Sequence, residues 1–162
     1  MLSPAFYGRG VFFIVSGATE KAQEEFRRTR SGDPHITVFY CKKKIPVSTL
    51  VDVGSKCFAT SIFQTALRSV LLTADNVSTT KEFEESTGRV RCDVHVYLDE
   101  DTNKCIENLR NVCIQSLGSD MIMFNKPHIT HSVHYNEKEA QNAANALRIR
   151  MPLTMWITGF TV

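Results

Sequence analysis

Two imidazoles and two hydroxyls recur at one spacing in this chain. His35 and Thr37 stand within Asp33-Pro34-His35-Ile36-Thr37-Val38-Phe39, and His128 and Thr130 within Lys126-Pro127-His128-Ile129-Thr130-His131-Ser132. Both copies read Pro-His-Ile-Thr. A strand sends successive side chains to opposite faces, so in each copy the histidine and the threonine look one way and the isoleucine the other. A proline ahead of each histidine suits a strand start, where no ladder N–H is needed. Brought together, two such strands offer two imidazoles and two hydroxyls to one pocket. That set suits breaking a phosphodiester without a metal, which needs a base for the attacking oxygen and an acid for the departing one on opposite sides of phosphorus. Histidine titrates near neutrality, at about 6.5 when unperturbed, so one neutral and one protonated ring can coexist. The two hydroxyls would hold the non-bridging oxygens as charge builds on them.

Carried onward, the same alternation places Phe39 and Cys41 beside His35 and Thr37. It places Ser132 and His134 beside His128 and Thr130, with His131 on the far side. Phe39 could then stack a base, and Ser132 and His134 could extend the contacts to phosphate or ribose. Residues 89–98 are the cleanest strand in the chain, with Val90, Cys92, Val94, Val96 and Leu98 on one face and Arg89, Arg91, Asp93, His95 and Tyr97 on the other. The polar face has two destinations. It meets solvent, or it borders the cleft with His95, Arg91 toward phosphate and Tyr97 toward a base. Metal ligation is the competing use of a histidine cluster, but His128, His131 and His134 alternate poorly for one ion and no His-Glu-x-x-His stands nearby. No metal and no cofactor are expected.

The paired His-x-Thr motifs, one in each half of a chain of this length and each heading an apolar strand, resemble the two-histidine (2H) phosphoesterase superfamily. The resemblance implies an α+β fold of two pseudo-symmetric lobes, each an antiparallel sheet with helices, facing across a central cleft. It implies metal-independent phosphodiesterase chemistry with His35, Thr37, His128 and Thr130 as the catalytic set. It further implies a short oligonucleotide or cyclic nucleotide as substrate. By analogy with compact viral and phage members, that would be a 2′,5′-oligoadenylate or a cyclic di- or trinucleotide of host defence signalling. A 2′,3′-cyclic phosphodiesterase of RNA end processing is the alternative within the family, and a non-catalytic nucleotide-binding module is the alternative outside it.

The elements that must position these residues read as follows. Val11-Phe12-Phe13-Ile14-Val15 is a continuous apolar run, the mark of a central strand covered on both faces. Residues 18–30 form a helix with acidic residues early and arginines late, as the helix dipole favours. Residues 45–58 are mixed, with a short helix capped by Ser48 or Thr49. A strand is expected around residues 67–73, followed by a polar, acidic loop at 76–88 that divides the lobes as a mobile flap. Residues 102–117 form an amphipathic helix capped by Asp101 or Thr102 and stopped by Gly118. Residues 121–124 lead into the second motif strand, Asn136 opens a helix, and 152–162 alternate as a strand. Strand, helix and motif strand thus occur twice in the same order.

At 162 residues the chain suits one bilobal domain spanning 1–162. A net charge of +2 is too weak for wrapping a long nucleic-acid duplex, though not for a small anion. Lys42-Lys43-Lys44 reads as a solvated strand end rather than a phosphate funnel. Five cysteines with no Cys-x-x-Cys pair argue for reduced, buried thiols. With no membrane-length apolar run and no secretory leader pattern, a cytoplasmic, membrane-free protein is expected. Oligomeric state is not encoded in any pattern of this kind.

Overall fold

The run Val11-Phe12-Phe13-Ile14-Val15 forms the middle of strand β1 (Tyr7–Gly17) in the computed structural model of the chain, which describes residues 6–27, 33–63, 69–118 and 125–162. Val11, Phe13 and Val15 are buried, whereas Phe12 and Ile14 are only half-buried on the other face. The expectation of a strand covered on both sides is therefore corrected. Its second apolar face is open, because it borders the cleft rather than a second helical layer.

From β1 the chain runs through α1 (Glu20–Arg27), β2 (His35–Pro46), α2 (Val47–Phe63), β3 (Ser69–Leu72), a 3-10 turn (Ala74–Asn76) and β4 (Val77–Glu84). It continues through β5 (Arg89–Tyr97), α3 (Glu100–Leu117), β6 (His128–His134), α4 (Glu137–Arg150) and β7 (Leu153–Thr161). The fold is α+β. All strands share one antiparallel sheet in the order β3-β7-β1-β2-β6-β5-β4. That sheet has a seam: β2 meets β6 through the single pair Ile36 and Ile129, while every other neighbouring pair is bonded over several residues. Two half-sheets, β3-β7-β1-β2 and β6-β5-β4, thus adjoin along the two motif strands. The repeated order in the sequence corresponds to β1-α1-β2 in one half and β5-α3-β6 in the other.

The helices bury one face. Helices α1 and α2 pack on β1 and β7, α3 on β2 and α2, and α4 on β4, β5 and β6. Beneath them lie Phe13, Ile36, Ile129, Val94, Val96 and Met155 within one core. Gly17 is needed at the β1–α1 corner, since a Cβ there would run into the backbone of Ala22 and Gln23. Helix α3 is capped by Asp99, whose carboxylate accepts from the Thr102 N–H and hydroxyl, earlier than the Asp101 or Thr102 expected. Asn136 caps α4, accepting from the N–H groups of Lys138 and Glu139.

Two expectations change. Residues 76–88 are not a flap but β4 with a turn, paired with β5 from Val77 opposite Val96 to Glu84 opposite Arg89. Their polarity is that of an edge strand, where charged side chains discourage further pairing, and Gly88 takes the turn at φ 67°. The mixed segment after Ile45 is the 17-residue helix α2 rather than a short one. The lead-in at 121–124, the end of the first helix beyond Arg27 and residues 64–68 lie outside the described residues. Among the described residues no helix is long and apolar enough to cross a membrane.

Candidate active site

The pairing of Ile36 with Ile129 decides how the four motif residues meet. Both isoleucines point into the core, so the residues flanking them point to the open face. Antiparallel register then sets His35 opposite Thr130 and Thr37 opposite His128. The four groups therefore occupy the corners of a small quadrilateral, histidines on one diagonal and threonines on the other.

Each ring is held in the same way. Nδ1 of His35 donates to the Asp33 carbonyl at 3.0 Å, and Nδ1 of His128 donates to the Lys126 carbonyl at 2.9 Å. A carbonyl can only accept, so in the neutral ring Nδ1 carries the proton and Nε2 keeps its lone pair. In both copies one proline separates the acceptor residue from the histidine.

Each motif strand then breaks its register at the same place. The β1–β2 pairing passes from Phe12 opposite Thr37 to Val11 opposite Phe39, leaving Val38 as an extra residue. The β5–β6 pairing passes from His95 opposite Thr130 to Val94 opposite Ser132, leaving His131 extra. Both bulges fall three residues after the motif histidine. A bulge reverses the facing of everything beyond it, and three expected site residues are corrected on that ground. Phe39 turns into the core beside Val11 and is 1% exposed, so it cannot stack a base. Ser132 and His134 pair with Val94 and Cys92 on the helical side. There Ser132 Oγ lies 3.1 Å from His131 Nδ1 and 2.9 Å from His134 Nε2. His131 Nε2 donates to Glu25 Oε1 at 3.0 Å, and Arg150 binds the other oxygen of Glu25. This chain of contacts ties α1, β6 and α4 together behind the sheet. Burial lowers the His131 pKa, against the pull of Glu25.

The polar face of β5 turns toward the cleft, resolving the two destinations left open by the sequence. Asp93 and His95 are each 4% exposed. Tyr97 lies opposite His128 and His95 opposite Thr130. The His95 ring stacks on His128 with centroids 3.9 Å apart and planes 16° from parallel. Tyr97 meets His128 edge-on at 6.4 Å and carries the Lys126 ammonium 5.5 Å above its ring. Arg91 departs from its expected place facing phosphate. Its guanidinium is engaged by Asp93, with Nε 2.8 Å from Oδ1, and by Glu82 at 2.9 Å, with Glu84 at 3.8 Å. Arg91 thus supports Asp93, whose Oδ2 lies 3.5 Å from His95 Nε2. Burial would raise the Asp93 carboxyl, but the His95 hydrogen bond and the Arg91 charge outweigh it and hold the group below the ordinary carboxylate range.

His128 feels this array strongly. Burial first, then His95, push its pKa down to about 4, with Arg110 acting the same way and the Lys126 carbonyl and Asp93 opposing. At neutral pH it is an uncharged ring with a free Nε2 lone pair. The His35 side is different. Phe12 meets the His35 ring edge-on at 5.5 Å. A cavity of about 320 Å³ opens beside it, lined by Phe12, Ile14, Asp33, His35 and Thr161.

Two residues of this site escaped sequence reasoning as determinants. Asp93 is visible only as one polar member of an alternating strand. Arg110 stands in the buried stripe of α3, 8% exposed, and its signal is a charged residue where the helix should be apolar.

Comparisons with known proteins add the following. No family model matches the sequence, and no curated protein matches it. Among solved structures, the chain is similar to Usb1 from Kluyveromyces marxianus with uridine monophosphate, at 12% identity and a TM-score of 0.46, over 88% of this chain and 81% of that one. A second structure of Kluyveromyces marxianus Usb1 is similar at 12% identity and a TM-score of 0.45, over 87% and 80% of the two chains.

Proposed function

We propose that this chain is a metal-independent phosphodiesterase of the two-histidine type, acting on short nucleotides. The observation that carries the reading is the quadrilateral about the Ile36–Ile129 pair, with both Nδ1 atoms tied to carbonyls so that both Nε2 atoms serve the open face. A phosphorus between the two histidines has an imidazole at each end of the in-line path and a hydroxyl on each side. His128, neutral because its pKa lies near 4, takes the proton of the attacking hydroxyl or water at Nε2. His35, entering the step protonated on both ring nitrogens, gives its Nε2 proton to the departing oxygen and keeps its Nδ1 proton on the Asp33 carbonyl. Thr37 and Thr130 donate to the non-bridging oxygens, where preorganised donors contribute most as charge develops.

Substrate size follows from what flanks the phosphate. The cavity on Phe12 and Ile14 accepts one base on the His35 side, and Tyr97, beside His128, borders the nucleotide on the other side. On this reading two nucleotides occupy the site, one on each side of the phosphate. We assign the substrate to the 2′,5′-oligoadenylates or cyclic di- and trinucleotides, whose destruction would silence host antiviral signalling. The test is incubation in EDTA with 2′,5′-oligoadenylate, cyclic dinucleotides of both linkages, a cyclic trinucleotide and 2′,3′-cyclic AMP, with His35→Ala and His128→Ala in parallel. Turnover that survives EDTA and is lost in both variants supports the mechanism. Cleavage confined to the 2′,3′-cyclic phosphate would redirect the substrate assignment to RNA end processing. Binding of panel members without turnover would make the chain a nucleotide-binding module.

A further inference from the structure

The seam between the half-sheets is bridged from behind by Arg110. Arg110, on α3, donates from Nη2 to the Thr37 carbonyl at 3.0 Å, from Nε to the Val38 carbonyl at 3.3 Å, and from Nη1 to the Asn125 carbonyl at 2.8 Å. Thr37 belongs to the first motif and Val38 is the residue that bulges after it. Asn125 precedes Lys126, whose carbonyl fixes the His128 ring. Beyond the Ile36–Ile129 pair, β2 and β6 have no further register pair, so carbonyls at this place look elsewhere for donors, and buried ones must find them. A guanidinium supplies several N–H groups in one rigid plane, which an ammonium does not.

We propose that Arg110 is a positioning residue that sets the spacing of the two His-x-Thr pairs by holding the backbone of both motif segments in one guanidinium. It touches no reacting atom. Its action is on the two strands whose side chains do, and its importance for turnover rests on the phosphodiesterase reading above. A second consequence is electrostatic. Burial lowers the Arg110 pKa, opposed by Glu107, yet a guanidinium stays charged at any ordinary pH. It therefore places a permanent cation behind His128. His128 is also faced by His95, Asp93 and Tyr97 from β5, by Lys126 from its own approach segment, and by Thr37 across the seam.

Two substitutions separate the roles. Arg110→Lys keeps the charge and loses the fork. It is expected to lower kcat by about 10- to 100-fold, the scale of an ångström-sized misplacement, with little change in KM and no change in the titration of the His128 ring. Arg110→Met loses both, so the ring should also titrate at higher pH. Ring titrations and the ring-to-methyl Overhauser contacts from His35 to Thr130 and from His128 to Thr37 are read by NMR on substrate-free protein. Those contacts should weaken in both variants. Should Arg110→Met not fold, Arg110→Lys alone decides. Unchanged contacts in folded Arg110→Lys or in folded Arg110→Met would overturn the proposal. If the wild-type chain cleaves no panel member, the functional reading fails while the NMR measurements still judge Arg110.

Discussion

The half built on β1 and β2 and the half built on β5 and β6 share a skeleton and differ in what touches it. In each, a partner strand runs beside a Pro-His-Ile-Thr strand that bulges three residues after its histidine. Opposite the threonine stands Phe12 in one half and His95 in the other; opposite the isoleucine, Phe13 and Val96; opposite the histidine, Ile14 and Tyr97. The backbone repeat makes two equivalent imidazoles. The neighbours make them unequal, because His35 meets an apolar edge while His128 lies under a stacked imidazole anchored by Asp93. Such inequality favours one neutral and one protonated ring and so assigns base and acid between them.

The largest test removes each half's imidazole in turn. His35→Ala and His128→Ala should each lower kcat by about 10²–10⁴, the usual worth of a general acid or base. Residual turnover in only one variant would mean that a single half carries the reaction. Next, Thr37→Val and Thr130→Val should each cost on the order of 10² in kcat with folding intact, as for the loss of one donor to developing charge. A smaller change sharpens the comparison by making the second half copy the first. His95→Phe keeps a ring on His128 but removes a charge that lowers its pKa, so the acid limb of kcat/KM should move up toward the ordinary histidine value of about 6.5. A limb that stays put would show that His95 does not set it. The seam has its own test: Ile129→Ala should cost about 2–5 kcal/mol of stability, as for other buried large-to-small changes, measured by urea unfolding. Smallest of all, Ser132→Ala should leave kcat within about twofold, on the scale of substitutions away from a critical contact, because its hydroxyl lies among His131 and His134 on the helical side. A loss comparable to that of Thr130→Val would return Ser132 to the cleft.

Sequence pattern matched the strands and their faces where it is periodic and missed them where the period breaks. The two His-x-Thr pairs, the alternation of β5 and the Asn136 cap are local signals, and the structure carries each of them in place. The bulges at Val38 and His131 are set by pairing with β1 and β5, which alternation along one strand does not register. An uninterrupted count therefore sends Phe39, Ser132 and His134 to the wrong face. β4 was hidden by edge-strand polarity that reads as loop. Arg91 carries the charge expected of a phosphate ligand, but three carboxylates brought near by β4 and β5 occupy it. Arg110 acts on backbone carbonyls distant in the chain, and no pattern of residue types marks such a contact.

The inequality of the two imidazoles is the centre of this account, and the acid limb of the pH profile of kcat/KM tests it most directly, since that limb reports the free protein's base. With His128 as a base whose pKa is pushed down to about 4, activity on the cleaved member of the nucleotide panel should persist as pH falls through 6.5 and drop only near 4. It should drop because His128 there takes a proton and loses its lone pair. A limb near about 6.5, the value of an unperturbed histidine, would contradict the assignment of His128 as the neutral base.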